Sequence, residues 1–336
     1  MSLLVTGGTG FVMSNLARLW LERHEGERVV LVDLAAPDAI AERFFAPVAD
    51  RVAVVTGDLR EPGLLDEIAK AHAIDRIVHG AAMTPTSGTS EASQAEMVVG
   101  VNVMGTVHAL ELARALPGLK RLIHVSTGSV YGDDGPPDGS PLPEDGYVRP
   151  FPTTLYPITK LAGELIATRY KALFGLPLHI VRLASVFGPM DRWTPGRDYA
   201  CAPNVLVHKA LAGEPVTIRG AASVGDWIHA GDVAGALVGL LDAGELHHEV
   251  YNIASGEPAS LGQLGDMVAR AVPGFAWRET TGEAATLNGN PSRTSGAWGA
   301  YDISRLKADT GWQPRPLVEA LADYAAWVRA YEDPHA

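Results

Sequence analysis

Apolar and polar positions along this chain fall into a repeating order: a short apolar run, a turn of small or acidic residues, then a longer stretch with helical spacing. Ser2–Thr6, Arg28–Asp33, Arg51–Leu59, Asp75–His79, Leu119–Ser126 and Leu178–Leu183 read as strands. Between them, Asn15–Arg23, Pro62–Ala71, Glu91–Ala115 and Leu155–Phe174 read as helices. Strands that alternate with helices in this way predict an α/β fold with a doubly wound parallel sheet. Beyond Ser185 the pattern loosens. Pro189–Asn204 reads as irregular, Val205–Ala212 as a helix, Val216–Arg219 as a strand and Asp226–Leu241 as a turn and a helix. Val250–Ala254 is a further strand, and Pro316–Tyr331 is a final amphipathic helix. The expected division is a larger domain of residues 1–188 plus 216–254, with a smaller, discontinuous C-terminal lobe of 189–215 plus 255–336 that takes the substrate.

At 336 residues and 47% hydrophobic content the chain is long enough to bury a large core. Its formal charge of −12 disfavours nucleic acid as a partner, because that binding depends on phosphate neutralisation by basic groups. Cys201 is the only cysteine, so no disulfide framework exists, and no Cys/His spacing suggests a metal. No basic leader and no run long enough to span a bilayer is legible, which points to a cytoplasmic chain with no membrane partner.

The first fourteen residues carry the clearest chemistry. The strand Ser2–Thr6 runs into Gly7-Gly8-Thr9-Gly10 and then a helix, the arrangement that offers backbone N–H groups and a helix dipole to a dinucleotide diphosphate. Gly7 and Gly10 form that turn. Met13 stands where a small third residue is usual, which predicts a slightly displaced helix. Asp33 ends the second strand, placed to accept both hydroxyls of the adenosine ribose, and Leu34 follows it where an arginine would favour a 2′-phosphate. The cofactor expected is therefore NAD. Asp58 and Leu59 are expected against the adenine, and the small residues Gly80, Ala81 and Ala82 let the chain pass close to the cofactor. Tyr156 and Lys160, four apart on one helix, share a face. A tyrosine ordinarily titrates near pH 10, and a neighbouring ammonium favours its phenolate. Such a pair suits proton removal from an alcohol during hydride transfer, with Lys160 also reaching the nicotinamide ribose and Thr127 orienting the same substrate oxygen.

Thr6–Phe11, Asp58-Leu59, His79–Ala82, Asn102, Ser126–Gly132, Tyr156–Lys160, Arg182–Pro189, Asp226–His229 and Tyr301–Pro314 together resemble the extended short-chain dehydrogenase/reductase superfamily, and within it the NAD-dependent epimerase/dehydratase family. The resemblance covers nearly the whole chain. It implies a Rossmann domain, tightly held NAD, a carbohydrate-like substrate and a homodimer formed through Glu91–Ala115 and Leu155–Phe174. Carried over by position, Thr127, Tyr156 and Lys160 are the catalytic set, and Phe11, Val12, Asn102, Ser126 and Val186 join the cofactor residues. Departures bear on the substrate. The family's dehydratases place an Asp-Glu pair after the catalytic hydroxyl, and here those positions are Gly128 and Ser129, so dehydration is disfavoured. Ser185 replaces an asparagine, and Gly225 an arginine, that commonly serve a nucleotide diphosphate; Arg219 or Arg293 are the candidates to compensate. Arg192 and Arg197, beside Trp193 and Tyr199, are either a clamp for a substrate carboxylate or phosphate or a solvated loop. Met83 and Thr84 either face the reacting carbon or pack a loop. The expectation is a sugar or nucleotide-sugar epimerase, with a net dehydrogenase of a small sugar, sugar acid or hydroxy acid as the alternative.

Overall fold

A computed structural model describes residues 2–85, 88–132, 139–145, 154–192, 200–282, 284–290, 293 and 300–331. In chain order the elements are β1 (Ser2–Thr6), α1 (Phe11–Arg23), β2 (Arg28–Asp33), α2 (Ala39–Phe45), β3 (Val52–Thr56), α3 (Leu64–Ala71), β4 (Ile74–His79), α4 (Gly88–Val99), α5 (Gly105–Ala115), β5 (Arg121–Thr127) and α6 (Leu155–Phe174). They continue with β6 (Leu178–Leu183), β7 (Ser185–Phe187), α7 (Ala202–Leu211), β8 (Val216–Arg219), β9 (Val224–His229), α8 (Ala230–Asp242), β10 (Val250–Ile253), β11 (Pro258–Ser260), α9 (Leu261–Ala271), β12 (Trp277–Glu279), β13 (Leu287–Asn288), α10 (Ser304–Thr310) and α11 (Leu317–Tyr331).

Seven parallel strands form the main sheet in the order β10-β6-β5-β4-β1-β2-β3, the doubly wound Rossmann arrangement with one strand added beyond β6. Strands β1 and β5 are buried along their whole length because helices cover both sheet faces, which is why they read as unbroken apolar runs. The order reverses between β1 and β4, and the crevice at the carboxyl ends of these strands is where such sheets bind ligands.

A smaller lobe packs its own core of Phe187, Leu206, Val216, Ile218, Leu264, Leu321 and Tyr324 under α7, α9 and α11. Strand β8 hydrogen-bonds to β12 and β13, apart from the main sheet. Asp226 lies inside β9, which pairs with β7 and β11, where the sequence suggested a turn. The long helix expected over Glu91–Ala115 is two helices joined by a π turn at Gly100–Met104. The first helix starts at Phe11 and not at Asn15. Among the described residues no helix is long and apolar enough to cross a membrane.

Candidate active site

A cleft of about 870 Å³ opens at the switch point. Its floor begins with the turn after β1. Gly7 has φ +70°, and a Cβ there would lie 2.9 Å from Ala81 Cα, so the turns after β1 and β4 rest directly on each other. Thr6 fixes that contact. Its Oγ1 accepts from the N–H groups of Gly80 and Ala81, both at 3.2 Å, so its own hydrogen is left to donate to His79 Nδ1 at 2.8 Å. His79 Nε2–H then donates to Thr106 Oγ1 at 3.0 Å. Complete burial, with the charge of Lys160 adding to it, drops the His79 pKa to about 3, so the ring stays neutral in this chain of bonds.

Met13 does not leave the turn unpacked. Its Sδ lies 2.4 Å from where a Cβ on residue 80 would stand, so glycine at 80 supplies the room that a small residue at 13 would otherwise supply. Gly10, Phe11 and Val12 line the cleft above this turn.

At the ribose end, Asp33 Oδ2 accepts from Thr9 N–H at 3.0 Å and Thr9 Oγ1–H at 2.7 Å, while Oδ1 accepts from Leu34 N–H at 2.8 Å. The carboxylate is thus oriented at the cleft wall, with acceptor capacity left on Oδ1. Asp58 and Leu59 also line the cleft. Asp58 carries an ion pair to Arg60 at 2.6 Å, and that hydrogen bond holds its carboxyl below the usual carboxylate range.

At the other end, β5 delivers Ser126 and Thr127, and α6 delivers Tyr156 and Lys160 into the same cleft. Thr127 Oγ1 accepts from Ser129 N–H at 3.2 Å and so caps the short helical turn that follows. Lys160 is 2% exposed; burial lowers its pKa to about 8, against the opposing charge of Glu164 one turn further on. Glu164 is engaged by Arg182 at 2.7 Å, whose Nη1 also donates to the Tyr131 hydroxyl at 3.0 Å. This buried pair ties α6 to β6 and to the segment after Thr127. Asn102 does not line the cleft. Sitting in the π turn, it accepts from Met83 N–H at 2.8 Å and donates to Met83 O at 3.1 Å and Thr159 Oγ1 at 2.9 Å. It braces the loop after β4 against α6.

Met83, Thr84, Ser185 and Val186 line the cleft. Arg192 lines it too, but its guanidinium is bound by Asp38 through two hydrogen bonds, at 2.8 and 2.9 Å, and not held open as a substrate clamp. Arg197, Trp193 and Tyr199 lie outside the described residues. Of the two compensating candidates Arg293 lines the cleft, whereas Arg219 is exposed at the end of β8.

Tyr301 is the residue that sequence reasoning missed. Its hydroxyl lies 1.8 Å from where a Cβ on Gly128 would stand, so the phenol fills the place of a side chain at 128, beside Thr127. Its ring meets Tyr131 edge-on at 5.6 Å, and its N–H donates to Asp226 at 3.2 Å. Burial pushes the phenol well above the ordinary tyrosine range, so it remains neutral. No local signal marks it, because Gly128 and Tyr301 are far apart in the chain. Asp38 was missed for the same reason.

These residues fit a dinucleotide on structural grounds. The Gly7 turn admits backbone to a diphosphate, Asp33 faces the ribose end, and Ser126 Oγ is buried with no protein partner at the nicotinamide end. The sequence pattern of the NAD dependent epimerase/dehydratase family matches residues 3–254. The chain is 29% identical to a dTDP-4-dehydro-6-deoxy-D-allose reductase of Streptomyces bikiniensis, over 98% of this chain and 96% of that protein. It is also 29% identical to a dTDP-glucose 4,6-dehydratase of Mycolicibacterium smegmatis, over 99% and 94%. The structure of a UDP-glucuronic acid 4-epimerase from Bacillus cereus, in complex with UDP-glucuronic acid and NAD, is similar at a TM-score of 0.80 and 25% identity, over 98% of this chain and 99% of that one.

Proposed function

The chain belongs to the NAD-dependent epimerase/dehydratase family, and from that premise we propose that this NAD-dependent enzyme is a nucleotide-sugar epimerase. The observation that carries the reading is the convergence of Thr127, Tyr156 and Lys160 on one cleft in which the neutral phenol of Tyr301 stands where a side chain at 128 would be. NAD, when bound, supplies a hydride acceptor and donor. The protein supplies the rest. Gly7, Gly10 and the start of α1 hold the diphosphate, Asp33 the adenosine ribose, and Ser126 and Lys160 the nicotinamide end. Thr127 orients the substrate carbinol by hydrogen bonding to its oxygen. Tyr156 takes the carbinol proton and later returns it, while the Lys160 ammonium, one helical turn away, stabilises negative charge on the Tyr156 oxygen. Elimination of water needs a further proton donor for the leaving group. Gly128 offers none, and Ser129 after it carries no carboxyl group.

A net reductase or dehydrogenase using the same residues is the second reading. The Streptomyces bikiniensis relative, which is named a reductase, favours it. We also infer a homodimer. The exposed apolar side chains Ile158, Leu165, Leu173 and Phe174 on α6, with Val99 and Met104 near the π turn, support this reading. The test of the catalytic assignment is Tyr156→Phe. It is expected to retain NAD and to lose turnover by about 10²–10⁴-fold. Turnover at the wild-type level would overturn it.

A further inference from the structure

The segment after β7 is built with unusual care. Asn15, in the first turns of α1, donates to Pro189 O at 2.8 Å and so seats this segment against the helix that begins at the diphosphate turn. Met190 follows, fully buried, and is the only non-glycine among the described residues with a positive φ, at 71°. A left-handed backbone at such a residue persists only where its surroundings impose it, and is a pointer to function. Asn204 then fixes Asp191 O at 2.8 Å. The result is the placement of Arg192, whose Nε and Nη2 donate to the two carboxylate oxygens of Asp38. The Arg192 side chain is only 10% exposed. Asp38 caps α2 by accepting from Ala41 N–H at 2.8 Å, so its position is set as well. Both residues line the cleft and reach it from different sheets: Asp38 follows β2 of the main sheet and Arg192 follows β7 of the β11-β9-β7 sheet, so the pair joins two separate parts of the cleft lining.

We propose that Arg192 and Asp38 form a cofactor-retaining clasp, an ion pair closed across the diphosphate–ribose stretch of the cleft, so that NAD leaves only when the pair opens. This rests on NAD as cofactor and not on which sugar is the substrate. It suits an enzyme that must return the hydride before its cofactor escapes. The pair is bidentate, the strong geometry for a guanidinium and a carboxylate, with Arg192 largely covered and Asp38 49% exposed.

The experiment follows release of NADH from the loaded protein by fluorescence after mixing with excess NAD, with no substrate present. Arg192→Leu and Asp38→Asn each remove the charge pair, and asparagine preserves the helix cap. Each is expected to speed release at least tenfold, with the double variant no faster than the faster single one, because both remove the same interaction. Release within twofold of wild type in both single variants overturns the clasp. So does a fast Arg192→Leu beside an unchanged Asp38→Asn, which would make Arg192 a direct cofactor contact.

Discussion

Gly128→Ala adds a single methyl group, and the structure says where it goes. A Cβ at 128 would meet the Tyr301 hydroxyl at 1.8 Å and ring carbons Cζ and Cε1 at 2.4 and 2.5 Å, all far inside contact distance. Tyr301 has little freedom to retreat: it is 7% exposed, its main chain is bonded to Asp226, and its ring is set edge-on against Tyr131. Overpacking of this kind costs about 1–3 kcal/mol. For a chain of this length a cost of about 2 kcal/mol lowers the Tm by about 3 °C, taking about 2.1 cal/mol/K of unfolding entropy per residue. Tyr301→Ala alone costs about 3–5 kcal/mol through the cavity it leaves. In that background the added methyl enters empty space, so Gly128→Ala should then cost nearly nothing. A double-mutant cycle by urea unfolding should therefore show a coupling of about 2 kcal/mol. Equal costs of Gly128→Ala in both backgrounds, or a cost below about 0.5 kcal/mol beside the native tyrosine, would refute the steric argument.

Lys160 carries a proton below its folded value of about 8 and loses it as pH rises through that value, so turnover should fall on the alkaline side from about pH 8. Because the unfolded lysine titrates near 10.5, the unfolded chain binds more protons between these values, and stability from this group should rise with pH over that window; unfolding measured across it checks the sign. Asp226 accepts from Ser255 N–H, Ser255 Oγ–H, Gly256 N–H and Tyr301 N–H at 2.7–3.2 Å, so Asp226→Asn sets an amide N–H₂ against donors. It should lower stability by about 1–3 kcal/mol in urea unfolding. Leu165 is 64% exposed on α6, and Leu165→Glu should convert a dimer to a monomer by light scattering; an unchanged mass would place any interface elsewhere.

The central sheet was legible because strands such as β1 and β5, buried on both faces, leave unbroken apolar runs, and because the glycine turn and Asp33 sit at strand ends in chain order. The first turn of α1 was not, since Gly10 precedes it without a side-chain cap. The π turn at Gly100–Met104 hid inside a continuous helical pattern. Asp226 read as a turn residue because Gly225-Asp226 is turn-like locally; its position in β9 is set by the four donors around it, all of them more than 25 residues away. The same limit applies in the cleft. Tyr156 and Lys160 stand out by spacing and Thr127 by its place at the end of β5, whereas Asp38 facing Arg192 and Tyr301 filling the space at Gly128 are pairings across the chain with no local signature. Met13 looked like a defect because its compensation lies at Gly80, in the turn after β4.

The most direct test of the account incubates the NAD-loaded protein with UDP- and dTDP-hexoses and UDP-uronic acids, and follows each tube by proton NMR and by absorbance at 340 nm. The account predicts that one nucleotide sugar is converted to its epimer at unchanged mass, with no lasting rise at 340 nm, and that the Tyr156→Phe protein leaves the same sugar unconverted. A product lighter by one water would contradict it, since that elimination calls for a leaving-group acid that the proposed set of Thr127, Tyr156 and Lys160 does not include.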